Sequence, residues 1–233
     1  MNPQIAMMSV VAAASFGFFG FLAYRNRIRA NVIELSSISP LQDNSSLNED
    51  LKDILAFIPM TEVQEIIEKY MKYDAQIGDT VCFMNDQKRF IIRELQNMPQ
   101  LIKLITFLKQ DGLDVDLWQE KIIKYWKRLP RFIRYDPDIA NGGLTVMIDK
   151  ILRTIPLDEL HEFLRVKVKY SSSFRRFLCA LKSKDYLELC NALEESKVLH
   201  HHCFWAKESG LEITFAIELY NELYAYLTQT LAP

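Results

Sequence analysis

The chain has 233 residues, 49% of them hydrophobic and 25% charged, with a formal net charge of −2. So small a charge gives no basis for a nucleic-acid partner. Seven Gly and eight Pro are few, which suits a helical protein with short loops, and the length is enough to bury a sizeable core as one domain.

Residues 1–30 form a signal peptide or an N-terminal membrane anchor. No charged side chain occurs in residues 1–24, and Ile5 to Tyr24 is apolar and long enough to enter a bilayer. A cleavable secretory signal would use the small residues Ala12-Ala13-Ala14. An uncleaved anchor would have Arg25, Arg27 and Arg29 on its C-terminal side, which would leave the body in the cytosol. Residues 31–46 are a polar linker with Ser36, Ser37, Ser39, Pro40, Asp43 and the sequon Asn44-Ser45-Ser46. A sequon at Asn44 fits a luminal side, and entry into the secretory pathway is the favoured reading.

The folded body begins near Leu47 and contains an internal echo. Leu51 to Tyr73 returns as Ile148 to Tyr170, with Pro59 on Pro156 at an offset of 97 residues (156 − 59). At that offset Ile54 meets Ile151, Leu55 meets Leu152, Glu62 meets Glu159 and Lys72-Tyr73 meets Lys169-Tyr170. Cys82 meets Cys179, and after a one-residue slip Gly112-Leu113 meets Gly210-Leu211. An echo sustained over about eighty residues predicts a duplicated structural unit.

Six helices are predicted in the first unit, residues 47–127. Asn48 to Phe57 must end before Pro59, because the residue ahead of a proline is pushed out of the helical region. Thr61 is placed to cap the next helix, with Val63, Ile66, Ile67, Tyr70 and Met71 on one face. Ile77 to Met84 and Gln87 to Gln96 follow, separated by a turn at Asn85-Asp86. Met98 to Gln110 is stopped by Gly112, and Leu113 to Lys127 closes the unit. Residues 128–143 are a connector interrupted by Pro130 and Pro137 and ending in Asn141-Gly142-Gly143. Residues 144–228 repeat the plan. No alternating β-branched run is long enough for a strand, so the fold class is all-α.

The double occurrence of Ile-Pro, Lys-Tyr and the late Gly-Leu at matched spacing resembles the insect allergen-related repeat. That family includes cockroach group 1 allergens and midgut microvillar proteins of flies and mosquitoes. The resemblance covers roughly residues 47 to 228. It implies two tandem six-helix repeats packed into a capsule around a large lipid-filled space, located in the gut lumen or at its microvillar surface. It also implies a detoxification alternative, since some butterfly gut members redirect the hydrolysis products of plant glucosinolates.

Residue chemistry offers little to an enzyme. His200-His201-His202-Cys203 cannot converge on one metal, because adjacent helical residues point about 100° apart. Cys82 and Cys179 are expected as buried thiols on apolar faces, and Cys190 with Cys203 is the pair best able to bridge. Glu62 with Glu65 and Glu159 with Glu162 lie in first turns, where the helix dipole accounts for them. There is neither a Gly-rich phosphate loop nor a Ser elbow, so no catalytic residue and no cofactor are expected. The stretch Lys121 to Arg134 interleaves six basic residues with Tyr125, Trp126 and Phe132. It reads as a solvated helix end, or as a contact for a membrane surface.

What remains is apolar excess. Leu101-Ile102-x-Leu104-Ile105-x-Phe107-Leu108 is apolar over so wide an arc that it faces a core on two sides, or a core and a cavity. With the family resemblance, the expected function is non-enzymatic binding of a fatty acid or phospholipid. The expected lining is Ile54, Ile66, Leu104 and Leu108 from the first unit, with Ile151, Phe163, Leu181 and Leu189 from the second. A helical-repeat module for structure or protein interaction is the alternative, with a packed core instead of a cavity.

Overall fold

The computed structural model describes residues 46–118, 120, 124 and 130–227. Among them every regular element is helical. The helices are α1 (Leu47–Ala56), α2 (Met60–Tyr73), α3 (Ala75–Gln96), α4 (Pro99–Gln110), α5 (Gly143–Thr154), α6 (Leu157–Tyr170), α7 (Ser172–Leu181), α8 (Lys184–Glu195), α9 (Lys197–Glu208) and α10 (Ile213–Ala225). Another helical segment starts at Val115. No described helix is long and apolar enough to cross a membrane. The candidate signal or anchor, the linker and Asn44 lie outside the described residues, as do most of the basic residues before Pro130.

Local chemistry sets the boundaries. Ser46 caps α1 in a capping box: its Oγ accepts from the Glu49 amide at 3.3 Å, while its own amide donates to Glu49 Oε2 at 3.1 Å. Pro59 and Pro156 sit just before α2 and α6 with nearly the same backbone, φ −72°, ψ 77° and φ −73°, ψ 83°. Thr61 does not cap α2. That helix begins one residue earlier, at Met60, and has no side-chain cap. Gly112 and Gly210 both take positive φ, 89° and 79°, just beyond α4 and α9. In each case the next amide bonds back to the same carbonyl position, Leu113 to Leu108 at 2.9 Å and Leu211 to Ala206 at 3.0 Å. These are two copies of one helix-ending turn that glycine permits.

The predicted break at Asn85-Asp86 is absent, and α3 runs straight through it for 22 residues. Neither residue forbids helix, and their propensity cost is small beside the packing of α9 along α3. At the matched place in the second half the break is real, because the Ser183 side chain caps α8 by accepting from the Tyr186 amide at 3.2 Å.

The connector closes onto α2. Ile133 and Arg134 donate to the Lys72 carbonyl at 2.9 and 3.3 Å, and Asp136 donates to that of Tyr73 at 3.0 Å. These amides satisfy acceptors that a helix C-terminus leaves without partners.

Among the described residues the two halves of the chain meet chiefly through six helix pairs. α1 packs on α6 and α7, α5 packs on α2 and α3, α4 packs on α8, and α9 packs on α3.

Cys82 and Cys179 are exposed, not buried as expected. On α7 the buried positions are Phe174, Phe177, Leu178 and Leu181, and Cys179 lies one residue, about 100°, off that stripe. Cys82 is exposed although it follows the buried Gly78 by four residues on the same face of α3. Cys190 is half-buried and Cys203 exposed, and no disulfide joins any of the four, so the expected Cys190–Cys203 bridge is not formed.

Candidate functional site

The larger of two apolar clusters among the described residues draws on both halves. Ile54, Ile151, Leu181 and Leu189 are buried within it, and Ile66, Leu104, Leu108 and Phe163 pack against it while keeping partial access. All eight expected lining residues therefore meet in one place. Two aromatic contacts stitch its edge: Phe57 against Phe163 with ring centroids 4.7 Å apart, and Tyr186 stacked on Tyr224 at 5.6 Å. On α4 the predicted wide arc divides. Leu101 is buried, Leu104, Ile105, Phe107 and Leu108 are half-buried, and Ile102 is exposed.

Polar groups enter this interior at points that include the following two. The first is an ionic node. Lys167 on α6 is fully buried and donates to Asp50 Oδ1 at 2.8 Å and to Asp53 Oδ2 at 2.6 Å. Ser171 Oγ donates to Asp50 Oδ2 at 2.5 Å and accepts from the Phe174 amide at 3.1 Å, so it also caps α7. Burial alone pulls the Lys167 ammonium down. Its hydrogen bonds and charge pairing with Asp50 and Asp53 outweigh that and hold it above the ordinary lysine value.

The second is the pair His161 and Tyr226, which hydrogen-bond each other through Nδ1 and the phenol oxygen. Burial pushes the Tyr226 phenol up and the His161 imidazole down, so both stay neutral near pH 7.

Sequence reasoning missed the ionic node, although a signal exists. Asp50 is three residues after Leu47 and four before Ile54, so it occupies the apolar register of α1. Lys167 does the same on α6 after Leu160 and Leu164. Charges in a buried stripe require partners.

The histidine run behaves as its spacing requires. His200 and His201 are exposed and His202 is buried. A surface cleft of about 390 Å³ opens beside them, lined by Glu194, Glu195, Lys197, His200, His201 and Phe204. Its charged rim sets it apart from the apolar interior. Among the described residues no group of three or more His, Cys, Asp or Glu could hold a metal ion. Glu62, Glu65 and Glu159 are exposed and Glu162 is half-exposed, in keeping with surface carboxylates at helix starts.

Fold and interior together define an all-helical protein whose halves are joined across a shared apolar cluster. The chain belongs to the insect allergen related repeat family: the family profile, described as insect allergen related repeat, nitrile-specifier detoxification, matches residues 46–217. No curated protein matches the chain.

Proposed function

We propose that this protein is a non-enzymatic carrier that holds a fatty acid or phospholipid between two helical repeats. The observation that carries the proposal is the meeting of Ile66, Leu104, Leu108 and Phe163, half-buried residues from both halves, on one apolar cluster. Half-buried apolar side chains facing a shared interior offer surface to an acyl chain. The helix pairing supports the repeat reading. At the 97-residue offset the pair α1–α6 becomes α5–α2, α1–α7 becomes α5–α3, and α8–α4 becomes α3–α9. Each of these six pairings thus has a reciprocal, as an isologous two-fold interface requires.

An acyl chain gains about 0.8 kcal/mol per buried methylene, so sixteen carbons gain on the order of 10 kcal/mol before ordering costs. Selectivity for the headgroup should be weak. The test is solvent extraction and mass spectrometry of protein made in insect cells, wild type beside Leu104→Asp. Lipid in the wild type and little in the variant is expected, because a buried unpaired carboxylate is costly. Equal lipid in both would remove Leu104 from the lining.

A second reading, detoxification of dietary compounds, is favoured by the wording of the family description. Turnover of glucosinolate-derived aglycones by the purified protein would establish it in place of simple carriage. The proposed location is the gut lumen or the microvillar surface, reached through residues 1–30. Protease protection in insect cells should find residues 47–233 on the luminal side with Asn44 glycosylated, and a cytosolic body would overturn that placement.

A further inference from the structure

The two reciprocal joints between the halves are built from different chemistry. At the 97-residue offset Asp50, Asp53, Lys167 and Ser171 correspond to Met147, Lys150, Tyr70 and Asp74. The first joint is the buried node in which Lys167 donates to Asp50 and Asp53. At the second, Lys150 Nζ stands 5.0 Å from the centroid of the Tyr70 ring, and Met147 packs in the same apolar cluster as Tyr70. Tyr70 is buried and its hydroxyl donates to the Asn141 carbonyl at 3.1 Å. The matched cap residues do parallel work. Ser171 caps α7 and reaches Asp50, whereas Asp74 caps α3, accepting from the Ile77 amide at 3.0 Å, and takes the Gly143 amide on its other oxygen at 3.0 Å. The cation has therefore moved from α6 at one joint to α5 at the other, and the cap has changed from hydroxyl to carboxylate.

We propose that this inversion is a partner code: the α1 face of a first repeat accepts only the α6–α7 face of a second repeat, and the α5 face of a second repeat accepts only the α2–α3 face of a first. The proposal rests on the two-repeat reading given above. Joining like halves fails in both cases. First repeat on first repeat sets Asp50 against Asp74, carboxylate on carboxylate, with no lysine between them. Second repeat on second repeat sets Lys150 against Lys167 and buries Lys167 beside Met147 with no anion. A buried charge without a counter-charge is strongly unfavourable, and like charges across an interface reject wrong partners. Two repeats similar enough to pair in any combination are thereby held to one arrangement.

The test uses the full chain. Lys167→Tyr alone gives the first joint one of the second joint's four residues and leaves Asp50 and Asp53 in place, and it should lower the folding equilibrium constant by at least about 100-fold. Asp50→Met with Asp53→Lys and Lys167→Tyr carries over the three side chains that face each other across the second joint, keeps Ser171 as the α7 cap, and should recover to within about tenfold of wild type. Both joints of that triple variant then carry one chemistry, so like halves are no longer rejected. On refolding from denaturant at high concentration it should give mixed oligomers by light scattering, where wild type gives one species. A triple variant that fails to recover, or that recovers and refolds to the single wild-type species, overturns the partner code, as does a Lys167→Tyr variant as stable as wild type. Failure of the repeat reading itself would appear separately, in an experimental structure of the wild type whose halves do not superpose at the 97-residue offset.

Discussion

Replacing Lys167 by Met keeps the volume of the side chain and removes its charge. In the wild type Lys167 and Asp50 are both 0% exposed, while the side chain of Asp53 is 50% exposed. The two carboxylates will respond differently to the loss of their lysine. Asp53 can hydrate where it stands, so its share stays within about 1 kcal/mol. Asp50 cannot, and breaking a buried pair by removing one partner costs about 3–5 kcal/mol. In a chain of this size each kcal/mol moves the midpoint by roughly 2–4 °C, so Lys167→Met should melt roughly 6–20 °C below wild type. Thermal unfolding followed by circular dichroism at neutral pH measures this directly. Asp53→Ala should cost no more than about 1 kcal/mol by the same assay. Adding Asp50→Leu to Lys167→Met removes the orphaned charge and should restore most of the loss, since apolar replacement of a whole buried pair is often neutral. A Lys167→Met melt within about 2 °C of wild type, or a double variant worse than the single, would refute the account of the node.

Other outcomes follow from the same geometry. Gly210→Ala meets nothing within 4 Å but keeps φ at +79°, so it should cost about 1–2 kcal/mol of backbone strain alone. Gly143→Ala has φ +65°, and its methyl would sit 1.8 Å from Gln76 Oε1, displacing a side chain that donates to the Gly210 carbonyl. It should cost about 1 kcal/mol more in denaturant titrations. Stability should also depend on pH at both extremes. Burial depresses His161 and His202 below their ordinary 6.5, so the unfolded chain binds protons first and stability falls as pH drops below that value. His161→Gln with His202→Gln should flatten the profile between about pH 5 and 7, and an unchanged slope would contradict the assignment. Lys167 and Tyr226 are both raised, so their contribution is complete below their ordinary values of 10.5 and 10.0 and is lost as pH climbs beyond them.

Much of the fold is legible in the sequence because its punctuation acts locally. Pro59 and Pro156 fix a helix start, and Gly112 and Gly210 a helix end, through backbone geometry that needs no distant partner. The same localness explains the errors. Asn85-Asp86 carries the composition of a turn, yet nothing about either residue forbids helix, and a long-range contact with α9 decides the matter. Cys82 and Cys179 match in the sequence echo and both are exposed, and on α7 one residue of register separates Cys179 from the buried stripe. The burial of Ile54, Ile151, Leu181 and Leu189 was readable from periodicity, since they recur on helical stripes that need a core. The ionic node was not, because its partners are 117 and 114 residues apart and each charge occupies a position where an apolar residue is the simple expectation.

Native mass spectrometry of the protein purified from insect cells tests the lipid-carrier account most directly. The account predicts discrete species heavier than the bare chain by the mass of one or more fatty acids or phospholipids, released by organic solvent and regained on incubation with lipid. A single species at the mass of the bare chain, unchanged by that incubation, would contradict it and leave a helical module with a packed core.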